Sequence, residues 1–292
     1  MPQLRDLARA WLAAGRAAVL IEVTEARGSA PREAGTRMLV GFDRCAGTIG
    51  GGHLELKAIT QAREMLRAGT TAPQSAHYPL GPALGQCCGG AVSLGFALLD
   101  DAALHAWPQE APRFHLQLYG AGHVGRAIAR ALAPLNIVID WIDEREDEFP
   151  VSFFEHEGLW PTHIRKLCVD AVEAEVQDAP IGAFYLVLTH QHDLDMRITE
   201  AVLKRGDFGY LGLIGSRTKK QRFIRRFEQR GIAADRIERL TCPIGVPGIA
   251  GKEPEVIAAA VVAQLLQVAQ AADTRQAVAR QAATSRCQEF TP

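Results

Sequence analysis

The chain is poor in cysteine, with six in 292 residues, and none of them forms a C-x-x-C pair. Apart from the adjacent Cys87 and Cys88 they are scattered (Cys45, Cys168, Cys242 and Cys287), so a cysteine-built zinc site is not expected. Charge of one sign is also missing. Lys plus Arg is 32 against 33 for Asp plus Glu, which leaves no global field to recruit nucleic acid or anionic lipid. Any anion binding must be local. No run approaches the length of a membrane span. Arg5, Asp6 and Arg9 interrupt what would be an apolar leader, so no targeting segment is expected and the chain reads as cytoplasmic. A Walker A loop is absent as well, because Gly251-Lys252 is followed by Glu253.

The remaining composition, 48% hydrophobic and 22% charged, is that of a globular protein long enough for two domains. Leu4, Leu7, Ala8, Trp11 and Leu12 form an amphipathic helix that ends near Gly15. Strands follow over 17–28 and 36–42, a helix over 53–69 and a short strand over 92–99. A polar, proline-containing stretch from Asp100 to Arg113 marks the domain boundary, giving domains 1–108 and 109–292. The second half alternates strand and helix: a strand over 114–119, a helix over 124–135, strands over 136–143, 184–189 and 211–215, and strand-like residues over 236–241. A last helix opens at Pro254, and the tail after residue 270 reads as loosely held. The fold expected is α/β, with a C-terminal Rossmann-like parallel sheet and a smaller N-terminal α+β domain.

Five motifs carry the chemistry. Gly120-Ala121-Gly122-His123-Val124-Gly125 is a G-x-G-x-x-G with its strand and helix in place, and Asp143 follows near the spacing of a ribose-binding acid. The same glycines also serve turn and packing needs, so the fold follows more directly than a nucleotide does. Gly50-Gly51-Gly52 precedes a helix whose N–H groups favour a phosphate or other anion; the plainer reading is an awkward backbone turn. Thr189-His190-Gln191-His192-Asp193-Leu194-Asp195 leaves a strand at its carboxyl end. There one aspartate is expected to cap the next helix and at least one histidine to meet a ligand. The metallo-β-lactamase pattern H-x-H-x-D-H is broken, since Leu194 stands where the aspartate is required, so no metal site is expected. Ser216 is placed to cap a strongly basic helix, and Arg217 and Lys219 open that helix against its dipole, a conflict that an anion would relieve. Cys242 begins a Pro/Gly loop, either as a buried thiol or as a ligand contact.

The adjacent Cys87 and Cys88 sit between glycines in Gly85–Gly90. Neighbouring Cα atoms lie about 3.8 Å apart, inside the usual disulfide separation of roughly 4.4–6.8 Å. Packed thiols and ligand-facing thiols remain. In an extended backbone the two side chains point to opposite faces, which leaves one thiol for a ligand and one for the core.

Taken together, GSAPREAGTRMLV (28–40), GTIGGGHLE (47–55), LGQCCGG (84–90), YGAGHVG (119–125), DWIDER (140–145), THQHDLD (189–195), LIGSRTKK (213–220) and CPIGVPGIAGKEPEVIA (242–258) resemble the XdhC/CoxI family of molybdenum-cofactor accessory proteins. The motifs fall in both domains and in the family's order. A small departure is GSAPR, where the family commonly has Ser or Thr in place of Ala30. The resemblance implies a maturation chaperone and not a metabolic enzyme. It would bind the molybdenum cofactor (molybdopterin) as cargo, promote its sulfuration, and support insertion into apo xanthine dehydrogenase. A cysteine desulfurase would be the sulfur source, and a homodimer is expected. Under that reading Cys87, Cys88, Gly50–Gly52, Gly120, Gly122, Gly125, Asp143, His190, His192, Ser216, Arg217 and Cys242 contact the cofactor, with a nucleotide at the Rossmann turn as a further ligand. The competing readings are an NAD(P)-dependent oxidoreductase, which leaves the Gly50, Cys87 and Cys242 segments without a role, and a metal-dependent hydrolase resting on the two histidines.

Overall fold

The computed structural model describes residues 4–80, 90–108, 111–153 and 160–288, with side chains of the last helix up to 275. Cys87 and Cys88 lie outside the described residues. The chain divides into two compact units, Met1–Glu110 and Ala111–Pro292.

In the first unit, α1 (Leu4–Ala13) precedes strands β1 (Ala18–Arg27), β2 (Arg37–Gly41) and β3 (Cys45–Gly47). Helix α2 (Gly52–Ala68), strands β4 (Gln74–Pro79) and β5 (Ala91–Leu98) and helix α3 (Asp101–Ala106) complete it. The strands form one antiparallel sheet in the order β3-β2-β1-β5-β4. Alternation along β1 decides what each face covers. Val19, Ile21 and Val23 pack with Leu54, Ala58, Ala62 and Met65, the apolar stripe of α2. Ala18 and Leu20 turn the other way, onto Trp11 of α1 and Leu104 of α3. Gly69, in the left-handed region at φ 63°, stops α2 where the sequence places its end. The short strands β3 and β4 have too little alternation to stand out in sequence.

The second unit is doubly wound. Strands β6 (His115–Tyr119), β7 (Val138–Asp143), β8 (Ile164–Cys168), β9 (Phe184–Val187), β10 (Tyr210–Leu213) and β11 (Leu240–Thr241) pair in parallel in the order β11-β10-β9-β6-β7-β8. The direction of winding reverses between β6 and β9, the point where open parallel sheets bind ligands. Helices α4 (His123–Leu132) and α8 (Pro254–Gln288) contribute to one core cluster, while α5 (His192–Arg205) and α6 (Arg217–Gln229) contribute to another. The expected fold class is borne out. Three details are corrected. Residues 236–241 are largely a short helix, α7 (Ala234–Glu238), with only Leu240–Thr241 in the sheet. The last helix does not stop at residue 270, because α8 continues to Gln288. And Pro254–Arg275 is long and apolar enough to cross a membrane by length and composition, contrary to the expectation that no run is. Its Ala258, Val261, Leu265 and Ala269 instead enter the core of this unit, as a core helix's apolar stripe does.

Candidate functional site

The carboxyl ends of β6, β7, β9, β10 and β11 bring most of the expected residues of the second unit to one sheet edge. The glycine turn after β6 divides its labour clearly. Gly120 has φ +118°, and a Cβ there would lie 2.4 Å from the Leu188 carbonyl oxygen. A Cβ on Gly125 would lie 2.1 Å from the Gly120 oxygen, so this glycine lets α4 approach the strand. Gly122 is different: its φ of −67° suits any residue, and a Cβ would meet nothing within 4 Å. Space is therefore open at the head of α4, where first-turn N–H groups have no intrahelical partner.

The turn is braced from beneath. The Trp141 Nε1–H donates to the Gly120 oxygen at 3.0 Å, and the Ala121 N–H donates to Asp143 Oδ2 at 2.7 Å. Arg145 donates to both oxygens of Asp143, from Nε to Oδ1 at 3.0 Å and from Nη2 to Oδ2 at 2.9 Å. The Arg145 backbone N–H adds a bond to Oδ1 at 2.9 Å. Burial raises the Asp143 pKa, but these donors together hold the carboxyl below its usual value. An acid so engaged has no oxygen turned to a ribose. It positions the turn instead.

His190 and His192 are both exposed, His192 as the first residue of α5. His190 Nε2 lies 3.6 Å from Glu144 Oε1, and the Gln191 side-chain amide lies 2.9 Å from the same ring nitrogen. Beside them Tyr119, Asp143, Glu144 and Thr189 line a crevice of about 180 Å³, too constricted to admit a water. A ligand at this edge would rest over the loops. Neither aspartate caps α5: Gln191 holds the N-cap with no side-chain bond. Asp195, 1% exposed, turns back and accepts from the Thr189 N–H at 2.9 Å and Oγ1–H at 2.7 Å. Its other oxygen takes the Lys219 ammonium at 2.6 Å, and Lys219 also donates to the Ile214 oxygen at 2.9 Å. Lys219 is thus consumed in a buried clasp between the turns after β9 and β10. It is not the free cation its position in the sequence suggests.

Ser216 caps α6, accepting from the Lys219 N–H at 3.2 Å, and Arg217 beside it is exposed. Cys242 is buried, its thiol 3.8 Å from the Ser216 oxygen. Burial pushes that thiol's pKa up, and Lys219 and Lys220 offset this only in part, so the structure presents Cys242 as a packed thiol. Cys168, which the sequence reading passed over, is exposed at the same edge, with its thiol 3.6 Å from the Glu144 oxygen. Its pKa is raised by burial and by Glu146. Glu144 is a further residue the sequence reading did not assign to the site. Among the described residues, no three His, Cys, Asp or Glu side chains are grouped to hold a metal ion.

In the first unit, Gly50, Gly51 and Gly52 have φ of +122°, +76° and +65°, which accounts for three glycines in a row. The anion expected at this helix start comes from the chain itself. Glu55 Oε2 accepts from the Thr48 hydroxyl at 2.5 Å and from the N–H groups of Ile49 at 3.2 Å and Gly51 at 3.0 Å. The Gly50 N–H is taken by Thr48 Oγ1 at 3.1 Å. A phosphate would have to displace Glu55.

Residues 116–265 match a family model described as the XdhC Rossmann domain, and residues 11–78 match one described as the XdhC and CoxI family. An uncharacterized protein of Escherichia coli strain K12, YqeB, is 30% identical over 254 residues, covering 85% of this chain. The chain spans 43% of that relative's length. A crystal structure described as a xanthine dehydrogenase from Bacillus halodurans superposes with a TM-score of 0.68 at 19% identity, over 92% of this chain and 96% of that one. At that identity the likeness speaks to the fold.

Proposed function

Because this chain belongs to the XdhC/CoxI family, we propose that it is an accessory protein in the maturation of xanthine dehydrogenase. In this reading it binds the molybdenum cofactor as cargo, promotes sulfuration of the metal, and supports its insertion into the apo enzyme. Sulfur comes from a cysteine desulfurase, and the working form is a homodimer. The chain acts as a carrier and not as an enzyme that turns over a metabolite.

The observation that carries the proposal is the division of roles in the Gly120–Gly125 turn. Two glycines are packed against backbone and the middle one faces open space at a helix start. That is where the phosphate of a molybdopterin would sit. Arg217, exposed at the same sheet edge, adds positive charge for it. In this reading the exposed His190 and His192 donate hydrogen bonds to oxo or sulfido ligands, and one of Cys87 and Cys88 is a soft contact to a sulfur-rich centre. Asp143, Ser216 and the Asp195–Lys219 clasp hold these loops in place. The cargo itself brings a dithiolene-bound metal able to exchange an oxo for a sulfido ligand.

Purified protein mixed with free cofactor and passed through gel filtration tests the reading. Molybdenum and pterin fluorescence are expected to co-elute with the protein. Retention should fall in Gly122→Val, whose backbone angles suit valine, and in one but not both of Cys87→Ala and Cys88→Ala. Two unaffected cysteine variants would remove the thiol contact. No retention by the wild type, alongside saturable binding of reduced nicotinamide nucleotide, would give the turn to an oxidoreductase.

A further inference from the structure

Beyond Arg217, helix α6 carries a surface that the cofactor reading leaves unused. Its sequence, RTKKQRFIRRFEQ, buries Lys219, Phe223 and Phe227 and turns Arg217, Arg222, Arg225 and Arg226 outward. Many of the cations elsewhere in this unit have an acidic partner. Arg145 pairs with Asp143, Arg165 with Asp140, Arg197 with Glu173, Arg205 with Asp207, and Arg230 with Glu200. Among the described residues, none of the four outward arginines of α6 has an acidic partner. Arg222 and Arg226 are i,i+4 neighbours and Arg222 and Arg225 are i,i+3 neighbours, spacings at which like charges destabilise a helix. Packing does not require them, since the buried face is already complete.

The surroundings select the kind of partner. A furrow of about 670 Å³ runs along Arg222, Arg225 and Arg226, between the polar side chains of Thr218 and Gln229. At Gln221 it meets a second groove of about 550 Å³ between α6 and α7, where Ile224 and Ile237 provide apolar wall and the charges are mixed, Arg217 and Lys220 against Glu228 and Glu238. A polyphosphate backbone gains nothing from the isoleucines, and a flat bilayer surface does not follow a groove walled by two helices. The chain's net charge of −1 adds no long-range attraction for either. A protein segment with carboxylates on one face and apolar residues on the next satisfies both grooves, and guanidinium groups suit carboxylates through bidentate bonding.

We infer that the outer face of α6, with the groove it shares with α7, docks an acidic amphipathic helix of a partner protein, whose carboxylates meet Arg222, Arg225 and Arg226. This holds whether or not the sheet edge carries a cofactor, and its test is independent of that reading.

The probe is a synthetic helical peptide of about five turns, with glutamates at i, i+3, i+4 and i+7 and leucines on the adjoining face. The controls are a scrambled peptide of the same composition, a single-stranded oligonucleotide of equal charge, and phosphatidylserine vesicles. The full chain should bind the patterned peptide in preference to all three controls, and added salt should weaken the complex. Combining Arg222→Glu, Arg225→Glu and Arg226→Glu should lower the affinity at least about tenfold with the circular dichroism spectrum unchanged. Arg225→Glu alone, one exposed change, guards against a folding failure of the triple variant and should weaken binding severalfold. Equal binding of the scrambled peptide, preference for the oligonucleotide or the vesicles, binding to none of the four, or affinity unmoved by the charge reversals would each overturn the inference.

Discussion

The glycine turns that open α2 and α4 are alike in sequence, each a glycine-rich run between a strand and a helix, yet the structure fills them differently. At α2 the backbone N–H groups of Ile49 and Gly51 close on Glu55, a side chain one turn into the same helix. At α4 the acid comes from the neighbouring strand. Of the turn's own N–H groups Asp143 takes that of Ala121, and the approach over Gly122 stays open. The contrast teaches that glycine content alone does not make an anion site. What decides is whether the nearest carboxylate lies inside the turn, as a substitute for the ligand, or behind it, as a brace.

The strongest test of the brace lies in the glycines themselves. Gly120→Ala would set a methyl 2.4 Å from the Leu188 oxygen at φ +118°, so both overlap and backbone strain act. A loss of roughly 3 kcal/mol or more is expected from the two together, read as faster amide exchange across β6. Gly122→Ala, with open space and an ordinary φ, should change stability by less than about 0.5 kcal/mol. Equal losses at the two positions would show that the turn is not divided as described.

Removing the brace should matter less, and it should leave a signature in pH. Asp143→Asn retains an acceptor for Ala121 but gives up the ion pair with Arg145, for an expected loss of about 2 kcal/mol near neutral pH. The folded pKa of Asp143 is depressed, so its contribution is present above the unfolded value of about 3.9 and is lost as pH falls through the lower folded value. Asp140 is depressed too: the bonds from His115 and Arg165 outweigh the opposing effect of its burial. Wild type and variant share that second acid limb. The gap in denaturant midpoint between them should therefore be full at pH 6 and shrink below about pH 4. A gap that stays constant with pH would mean that the pair with Arg145 adds nothing to stability.

The two turns also mark where sequence reading succeeds and where it stops. The G-x-G-x-x-G with its strand and helix was legible because each glycine answers a local backbone demand, and local demands are written in local sequence. The α2 register and the Ser216 cap were legible for the same reason. The partner of a polar group, by contrast, depends on which strands become neighbours. Asp143 has ribose spacing, and only the turn after β7 reveals that Arg145 folds back onto it. Lys219 looks like a free first-turn cation until the turn after β9 brings Asp195 to it. The short strands β3, β4 and β8 are set by pairing more than by pattern, and α8 outruns its apolar stripe because good helix formers continue past residue 270. Glu55 did leave a local signal, an acid in the first turn of a helix opened by glycines.

That signal leads to a mild change and the sharpest comparison. Glu55→Ala would leave the Ile49 and Gly51 N–H groups and the Thr48 hydroxyl without their acceptor. Glu55 is only half-buried, so water replaces part of what is lost, and a cost of about 1 kcal/mol is expected, with faster exchange at the two amides. If Glu55 occupies a true anion site, the emptied turn should then take up inorganic phosphate. Phosphate would raise the thermal midpoint of Glu55→Ala and slow exchange at Ile49 and Gly51, and it would do neither to the wild type. A variant indifferent to phosphate would mean that the turn is built around a carboxylate alone. The glycines at 50–52 would then be structural, and the phosphate of the proposed cargo would be sought at the head of α4.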